Sequence, residues 1–302
     1  MKKLSYNTSL WFAFVLTALY GTIGILTLNF DLADYGWGMF AMLPFCVGLA
    51  AGLTPKPRNA FKGVGYSLGI LFVVLIFTAI EGIVCILLML PIFGLAIGLG
   101  FLIGSFFRRA WLAKYNNARL QLLPLVLFLG VISVENRVAK HEEVIYEVRS
   151  EIILPYSPEE VYDAIKSVDT LIAEKPFLMK LDLPVPQKCI LEKEEVGALR
   201  ICYFEGGRII ERVTELERGE ILKMDVIDYE LTGREWLGFK EAIYYFEPMG
   251  TGGCKMTRVT TYSTELYPRA YWKPLERLGI EQEHEYVFRN LQRDLLNAHG
   301  VR

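Results

Sequence analysis

Hydrophobic and polar positions follow two different patterns along this chain. Long uncharged apolar runs fill the sequence up to about Glu135, whereas alternating apolar and polar positions dominate after it. A helix needs about 20 apolar residues to cross a hydrocarbon core of about 30 Å. Residues 1–136 are therefore predicted to form an all-α transmembrane bundle. Five spans are expected, at 10–28, 39–53, 64–80, 83–106 and 120–134.

The third and fourth spans come from one apolar stretch, residues 64–106, whose helical length is about twice the core thickness. A turn at Glu81-Gly82 divides it most simply. The alternative makes Glu81 an intramembrane carboxylate on an ion or proton path. The fifth run is short and contains Pro124. It is either a short, tilted span or an interfacial helix.

Four glycines lie in the fourth apolar run, at 94, 98, 100 and 104, and they include two small-xxx-small pairs. Such pairs allow two helices to approach closely. A nucleotide-binding loop is disfavoured because the glycines lie inside lipid-length apolar sequence. No run has the charge density of a pump or channel, so this part of the chain is interpreted as an anchor or scaffold.

Charge is distributed unevenly between the two parts. Of the 32 Lys and Arg and 34 Asp and Glu, nine basic but only four acidic residues precede residue 137. With a cytoplasmic amino terminus, all nine basic residues fall on the cytoplasmic side, as the positive-inside rule requires. Five spans then put the second part on the non-cytoplasmic side. That part is net acidic, which argues against a nucleic-acid partner.

The second part, residues 137–302, is predicted to be one soluble α+β domain. Alternation over 142–154 predicts a half-buried strand. Ser157, Pro158 and Glu160 then form the start of a capped helix. Further strands are expected near 189–193, 199–205, 208–217, 221–229, 239–247 and 254–263. A helical pattern over 280–298 ends the sequence. Before it, the prolines of Tyr267-Pro268 and Lys273-Pro274 are expected to interrupt regular secondary structure.

This order resembles the SRPBCC superfamily, which includes START lipid-transfer domains, polyketide cyclase/dehydrases and the birch-pollen allergen. The resemblance covers residues 142–299 and is carried by two segments. They are Ser-Pro-Glu-Glu-Val-Tyr at 157–162 and Glu-His-Glu-Tyr-Val-Phe-Arg-Asn-Leu at 283–291. It implies a helix-grip fold, an antiparallel sheet wrapped on a long C-terminal helix. It also implies a cavity for a lipid, a polyketide or a similar apolar molecule, with no shared catalytic motif.

Strand parity and helix spacing predict which side chains face that cavity. Apolar residues at even positions of two strands alternate with polar ones, and two apolar helix positions are four residues apart. Arg258 joins them, on the strand face of Met256 and Tyr262. The predicted lining residues are Leu222, Met224, Val226, Ala242, Tyr244, Phe246, Arg258, Val287 and Leu291. The same pattern is equally typical of a filled core.

No catalytic or metal site is predicted, and no cofactor. His141, His284 and His299 belong to no recognisable constellation, and the zinc-protease spacing after His284 reaches Phe288 instead of a second histidine. His284 is interpreted as a polar-tipped core residue. Cys189 and Cys202 either pair across adjacent strands or remain buried free thiols.

The sequence thus favours a membrane-anchored module that binds a hydrophobic ligand, possibly a lipid, beside the bilayer. Two alternatives remain. One is an enzyme of the cyclase/dehydrase kind, for which Arg258 is the candidate polar group, unless Arg258 forms an outward salt bridge. The other is a sensor or assembly factor that contacts another protein through a domain with a small, filled cavity.

Overall fold

Helices occupy the first part of the chain in a computed structural model that describes residues 6–30, 32–33, 35–78, 81–110, 122–138, 144–231, 237–250 and 252–300. Contacts divide it into two compact units. The first comprises residues 1–81, 85–142 and 265–272, and the second 82–84, 143–264 and 273–302. The predicted combination of an apolar helical part and an α+β helix-grip part is confirmed.

Five α-helices form most of the first unit in its described residues. Their bounds are α1 Tyr6–Asn29, α2 Leu43–Gly52, α3 Pro57–Phe77, α4 Ile83–Ala110 and α5 Leu123–Val138, with a π-helical turn over Gly38–Met42 before α2. Three helices are long and apolar enough to cross a membrane: Thr8–Asn29, Pro57–Phe77 and Ile83–Ala110. The apolar stretches Gly38–Gly52 and Leu123–Glu135 are shorter. A bend at Glu81 separates α3 from α4, as the turn interpretation expects.

Two of the four glycines in α4 lie against α2. A methyl group built on Gly100 would overlap the carbonyl oxygen of Phe45, and one on Gly104 would lie 2.5 Å from the carbonyl oxygen of Leu49. Gly94 and Gly98 have no described atom within 4 Å of such a methyl group. The glycines therefore allow close packing on one face of α4 only.

Glu135 caps the helical turn that precedes α2. Its carboxylate accepts hydrogen bonds from the backbone N–H groups of Trp37 and Gly38, both at 2.8 Å. The first N–H groups of a helix lack partners within the helix, and a carboxylate there also interacts favourably with the helix dipole. Glu135 therefore ties α5 to the start of the π-helical turn that precedes α2.

The second unit contains a curled antiparallel sheet and the long helix α8, Arg269–Ala298. The strands are β1 Val144–Leu154, β2 Pro186–Leu191, β3 Leu199–Phe204, β4 Gly207–Glu217, β5 Ile221–Glu230, β6 Leu237–Pro248 and β7 Cys254–Thr264. Their order in the sheet is β1-β7-β6-β5-β4-β3-β2. Two short helices, α6 Pro158–Lys166 and α7 Phe177–Lys180, lie between β1 and β2 in sequence.

The start of α6 follows the sequence prediction. The Ser157 hydroxyl accepts from the Glu160 N–H at 3.3 Å, and the Glu160 carboxylate accepts from the Ser157 N–H at 2.8 Å. This reciprocal capping box satisfies two of the N–H groups that a helix start leaves free. Pro158 fills the first helical position.

Helix α8 begins earlier than predicted, at Arg269 instead of about residue 280, and continues through Pro274. A proline within a helix removes one hydrogen bond, to the carbonyl four residues earlier. Here that carbonyl belongs to Ala270, in the first turn, so the loss affects only the helix start.

Candidate functional site

Polar side chains, as well as apolar ones, line the interface between α8 and the sheet. The even positions of β7 face α8 and are all buried: Cys254, Met256, Arg258, Thr260, Tyr262 and Thr264. Four of these six carry polar groups that bond to α8. This interior is therefore less apolar than the sequence pattern indicates.

Glu276 makes the first of these contacts along α8. Its carboxylate accepts from the Thr264 hydroxyl at 2.9 Å and from the Tyr262 hydroxyl at 3.2 Å. Farther along α8, the Asn290 side-chain oxygen accepts from the backbone N–H groups of Ile172 and Ala173. Specific hydrogen bonds therefore fix how far α8 is shifted along the sheet.

His284 lies in the middle of the same interface, fully buried. Its Nε2 is 2.8 Å from the Thr260 hydroxyl, and its Nδ1 is 2.8 Å from the Ser150 hydroxyl. Burial, and then the positive charge of Arg258, hold the pKa of His284 well below its usual range. A neutral ring donates from one nitrogen and accepts at the other, so two hydroxyls satisfy it.

Arg258 and Glu283 form an ion pair beside this histidine. Arg258 Nη2 donates to Glu283 Oε2 at 2.8 Å and to Oε1 at 3.1 Å. Burial raises the pKa of Glu283, against the lowering effect of Arg258. The side chains of Arg258 and Glu283 nevertheless keep 11% and 19% of their surface accessible.

A second ion pair, Arg200 with Glu211, is buried on the neighbouring strands β3 and β4. The two residues are directly opposite each other, and Arg200 Nη1 donates to Glu211 Oε2 at 2.7 Å. The Tyr244 ring joins the two pairs, since its centroid is 5.9 Å from the Arg200 guanidinium and 5.4 Å from that of Arg258. We name Arg200, Glu211, Tyr244, Arg258 and Glu283 the charged cluster.

Eight of the nine predicted lining residues are buried. They are Leu222, Met224, Ala242, Tyr244, Phe246, Arg258, Val287 and Leu291. Val226 is partly exposed. The strand register brings them together, because Leu222 pairs with Tyr244 and Met224 pairs with Ala242. Arg258 points inward and pairs with Glu283, so the alternative of an outward salt bridge is not what the structure has.

The cysteines and the remaining histidines are not members of the charged cluster, although Cys202 Sγ lies 3.8 Å from Glu211 Oε2. Cys189 and Cys202 are directly opposite each other on β2 and β3 and form a disulfide. His299 lies 3.0 Å from Glu160, and His141 lies outside the described residues. Across the described ranges, no three His, Cys, Asp or Glu side chains are grouped as metal ligands.

The strand order and the closing helix decide the fold. The second unit has a helix-grip fold, an antiparallel sheet with a long closing helix. No protein-family model matches the sequence, and no curated protein matches it. The similarities found are to solved structures, and each covers about half of this chain.

Three of these structures illustrate the similarity. A START superfamily protein from Mycobacterium smegmatis is 10% identical, with 50% of this chain and 98% of that chain covered and a TM-score of 0.38. Zhui aromatase/cyclase from Streptomyces sp. R1128 is 10% identical, with 50% and 94% covered and a TM-score of 0.36. Norcoclaurine synthase from Thalictrum flavum is 16% identical, with 53% and 99% covered and a TM-score of 0.36.

Sequence reasoning missed Arg200, Glu211 and Glu283 as members of the interior. Arg200 alternates with Ile201 along β3, so the apolar pattern favours the opposite orientation of this strand. One signal was available: Arg200 and Glu211 carry opposite charges on adjacent strands that a tight turn at Glu205-Gly206 connects. Pairing the hairpin from that turn puts the two side chains opposite each other.

Proposed function

We propose that this protein is a membrane-anchored module that binds a hydrophobic molecule, such as a lipid, between α8 and the sheet. One observation carries the proposal: Arg258 and Glu283 point into this interface and yet keep accessible surface. A filled core leaves few voids larger than a water molecule. Accessible surface on two inward-facing charged side chains therefore supports a space that a ligand occupies.

Anchoring supports the same function. Three helices are long and apolar enough to span a bilayer, and they belong to the same chain as the helix-grip unit. A tether converts capture of a membrane-derived ligand into an event at high effective concentration. A module that takes its ligand from the bilayer would gain most from this arrangement.

The test is to purify the full chain in nonionic detergent micelles and to wash away loosely associated lipid with the same detergent. What stays bound is then extracted and identified by mass spectrometry. The proposal expects an apolar molecule to copurify in a fixed ratio to the protein. The test variant is Met224→Trp, which adds bulk among the predicted lining residues. If wild type and Met224→Trp retain the same molecules in the same amounts, no ligand is held at this place.

An acid–base enzyme is the second candidate, because His284 and Glu283 lie beside Arg258 in the interior. A general base must reach a proton of the substrate through a free nitrogen or oxygen. Both nitrogens of His284 already contact hydroxyl groups, of Ser150 and Thr260. This satisfied state favours binding over catalysis.

A further inference from the structure

Two large apolar side chains are exposed on the segment that connects α6 to β2. Ile172 is 71% exposed and Phe177 is 67% exposed. The core contacts of this segment are made by other apolar side chains, the buried Leu171, Leu178 and Met179. Exposed apolar residues are ordinary when they are scattered, but these two lie close together in one ordered segment. We name residues 170–182 the α7 segment.

Hydrogen bonds from α8 hold the backbone of the α7 segment in place. The α8 side chains that make them are Gln282, Tyr286, Arg289, Asn290 and Arg293. They accept from the N–H groups of Ile172, Ala173 and Leu178 and donate to the carbonyls of Thr170, Leu171 and Glu174. A peptide group without a partner is costly in lipid, and a segment that is already ordered loses less entropy on docking. These backbone groups are therefore satisfied before the segment meets an apolar phase.

The α7 segment carries no net charge. Its two lysines, Lys175 and Lys180, are balanced by two acidic residues, Glu174 and Asp182. Attraction to anionic lipid requires a cluster of basic residues near the bilayer. Contact through apolar side chains is therefore the kind of membrane contact that this surface favours.

The end of the α7 segment lies beside the bend between α3 and α4. Asp182 Oδ2 is 3.8 Å from the position that a Cβ atom on Gly82 would take, and residues 82–84 belong to the second unit. Helices α3 and α4 are two of the three that are long and apolar enough to cross a membrane. Because each span uses its length to cross the hydrocarbon core, the bend between two consecutive spans lies at a bilayer surface. In an anchored protein, that surface is next to the α7 segment.

We propose that the α7 segment docks on the bilayer that anchors the chain, with the Ile172 and Phe177 side chains in contact with lipid. Both side chains are exposed, so this contact is separate from the ligand site proposed between α8 and the sheet. The docking rests on the anchoring part of the proposed function and needs no bound ligand. Its partner is a zwitterionic lipid surface, because the segment has no net charge to attract an anionic one.

The experiment uses the photo-crosslinking residue p-benzoylphenylalanine, placed at one position at a time in the full chain in phosphatidylcholine vesicles. The test positions are Ile172 and Phe177. The two controls have matched exposure: Val196 is 64% exposed in the turn between β2 and β3, and Leu95 is 66% exposed in α4. Strand β2, Pro186–Leu191, separates Val196 from the α7 segment by about 20 Å. Mass spectrometry after illumination identifies lipid adducts, and circular dichroism verifies that each variant is folded.

Lipid adducts are expected at Ile172, Phe177 and Leu95, and none at Val196. Absence of the adduct from either test position, or an equal yield at Val196, would overturn the docking while an adduct at Leu95 keeps the anchor intact. No lipid adduct at Leu95 would overturn the anchoring, and with it the proposed function. In cell membranes, an adduct with another protein at Phe177 instead of lipid would assign this surface to a protein partner and overturn the docking.

Discussion

His284 makes the helix-grip unit sensitive to acid. Its pKa in the folded chain lies well below the value of about 6.5 that it recovers on unfolding. The unfolded chain therefore binds the proton first, and stability falls as pH drops below about 6.5 until the folded pKa is reached. The slope is at most about 1.4 kcal/mol per pH unit.

Replacing His284 by Gln should flatten the fall in melting temperature of the full chain between about pH 6.5 and pH 5.5. Thermal scans by circular dichroism measure this. His299 is the control with the opposite sign, because the Leu295 carbonyl and Glu160 raise its pKa. The stabilisation from His299 is present below about pH 6.5 and is lost as pH rises through its higher folded pKa, so His299→Gln should leave the slope between pH 6.5 and pH 5.5 nearly unchanged. An unchanged slope in His284→Gln would mean that this ring does not titrate as its burial requires.

Met224 and Ile227 lie on the same strand, β5, with very different exposure. Met224 is fully buried, whereas Ile227 is 43% exposed. Met224→Trp should reduce copurifying apolar ligand at a cost of about 1–3 kcal/mol in overpacking. Ile227→Trp should change neither ligand nor melting temperature. A folded Met224→Trp protein that still binds an apolar fluorescent dye would contradict a pocket at this position.

At the scale of elements, the two faces of α4 differ in how closely they pack. Gly100→Leu should disrupt the α2–α4 contact, because the new side chain overlaps the Phe45 carbonyl. Gly98→Leu, two positions earlier, should be tolerated because nothing described lies near it. Melting temperatures in micelles distinguish the two variants, and we expect overpacking of about 1–3 kcal/mol for Gly100→Leu alone. Equal melting temperatures would contradict close packing there.

Elements with strong local signals were predictable from sequence. Ser157 and Glu160 fix the start of α6 by a local hydrogen-bond pattern, and alternation identifies the buried positions Leu222 and Met224 of β5. The start of α8 was not predictable, because a proline near a helix start, here Pro274, costs little when packing stabilises the rest of the helix. The buried ion pair of Arg200 and Glu211 was not predicted either, because hydrophobic periodicity contains no information about two buried charges that neutralise each other.

At the scale of the molecule, membrane topology stays a prediction that gene fusions can test. The positive-inside distribution and the Cys189–Cys202 disulfide both favour a non-cytoplasmic C-terminal unit. Alkaline phosphatase fused after Asn136 should be active, and a fusion within 57–62 should be inactive. The reverse pattern would overturn the five-span arrangement and assign the C-terminal unit to the cytoplasm.

The strand order has a consequence for how the chain is made. Val144 begins the first strand of the sheet, and its partner Thr264 ends the last, about 120 residues later, which is a long loop to close. During synthesis β1 leaves the ribosome directly after the apolar helices and must wait for β7 with both edges unpaired. An unpaired strand edge is a site for wrong pairing. A nascent chain stalled before Cys254 should therefore be more prone to proteolysis and aggregation than one stalled after α8.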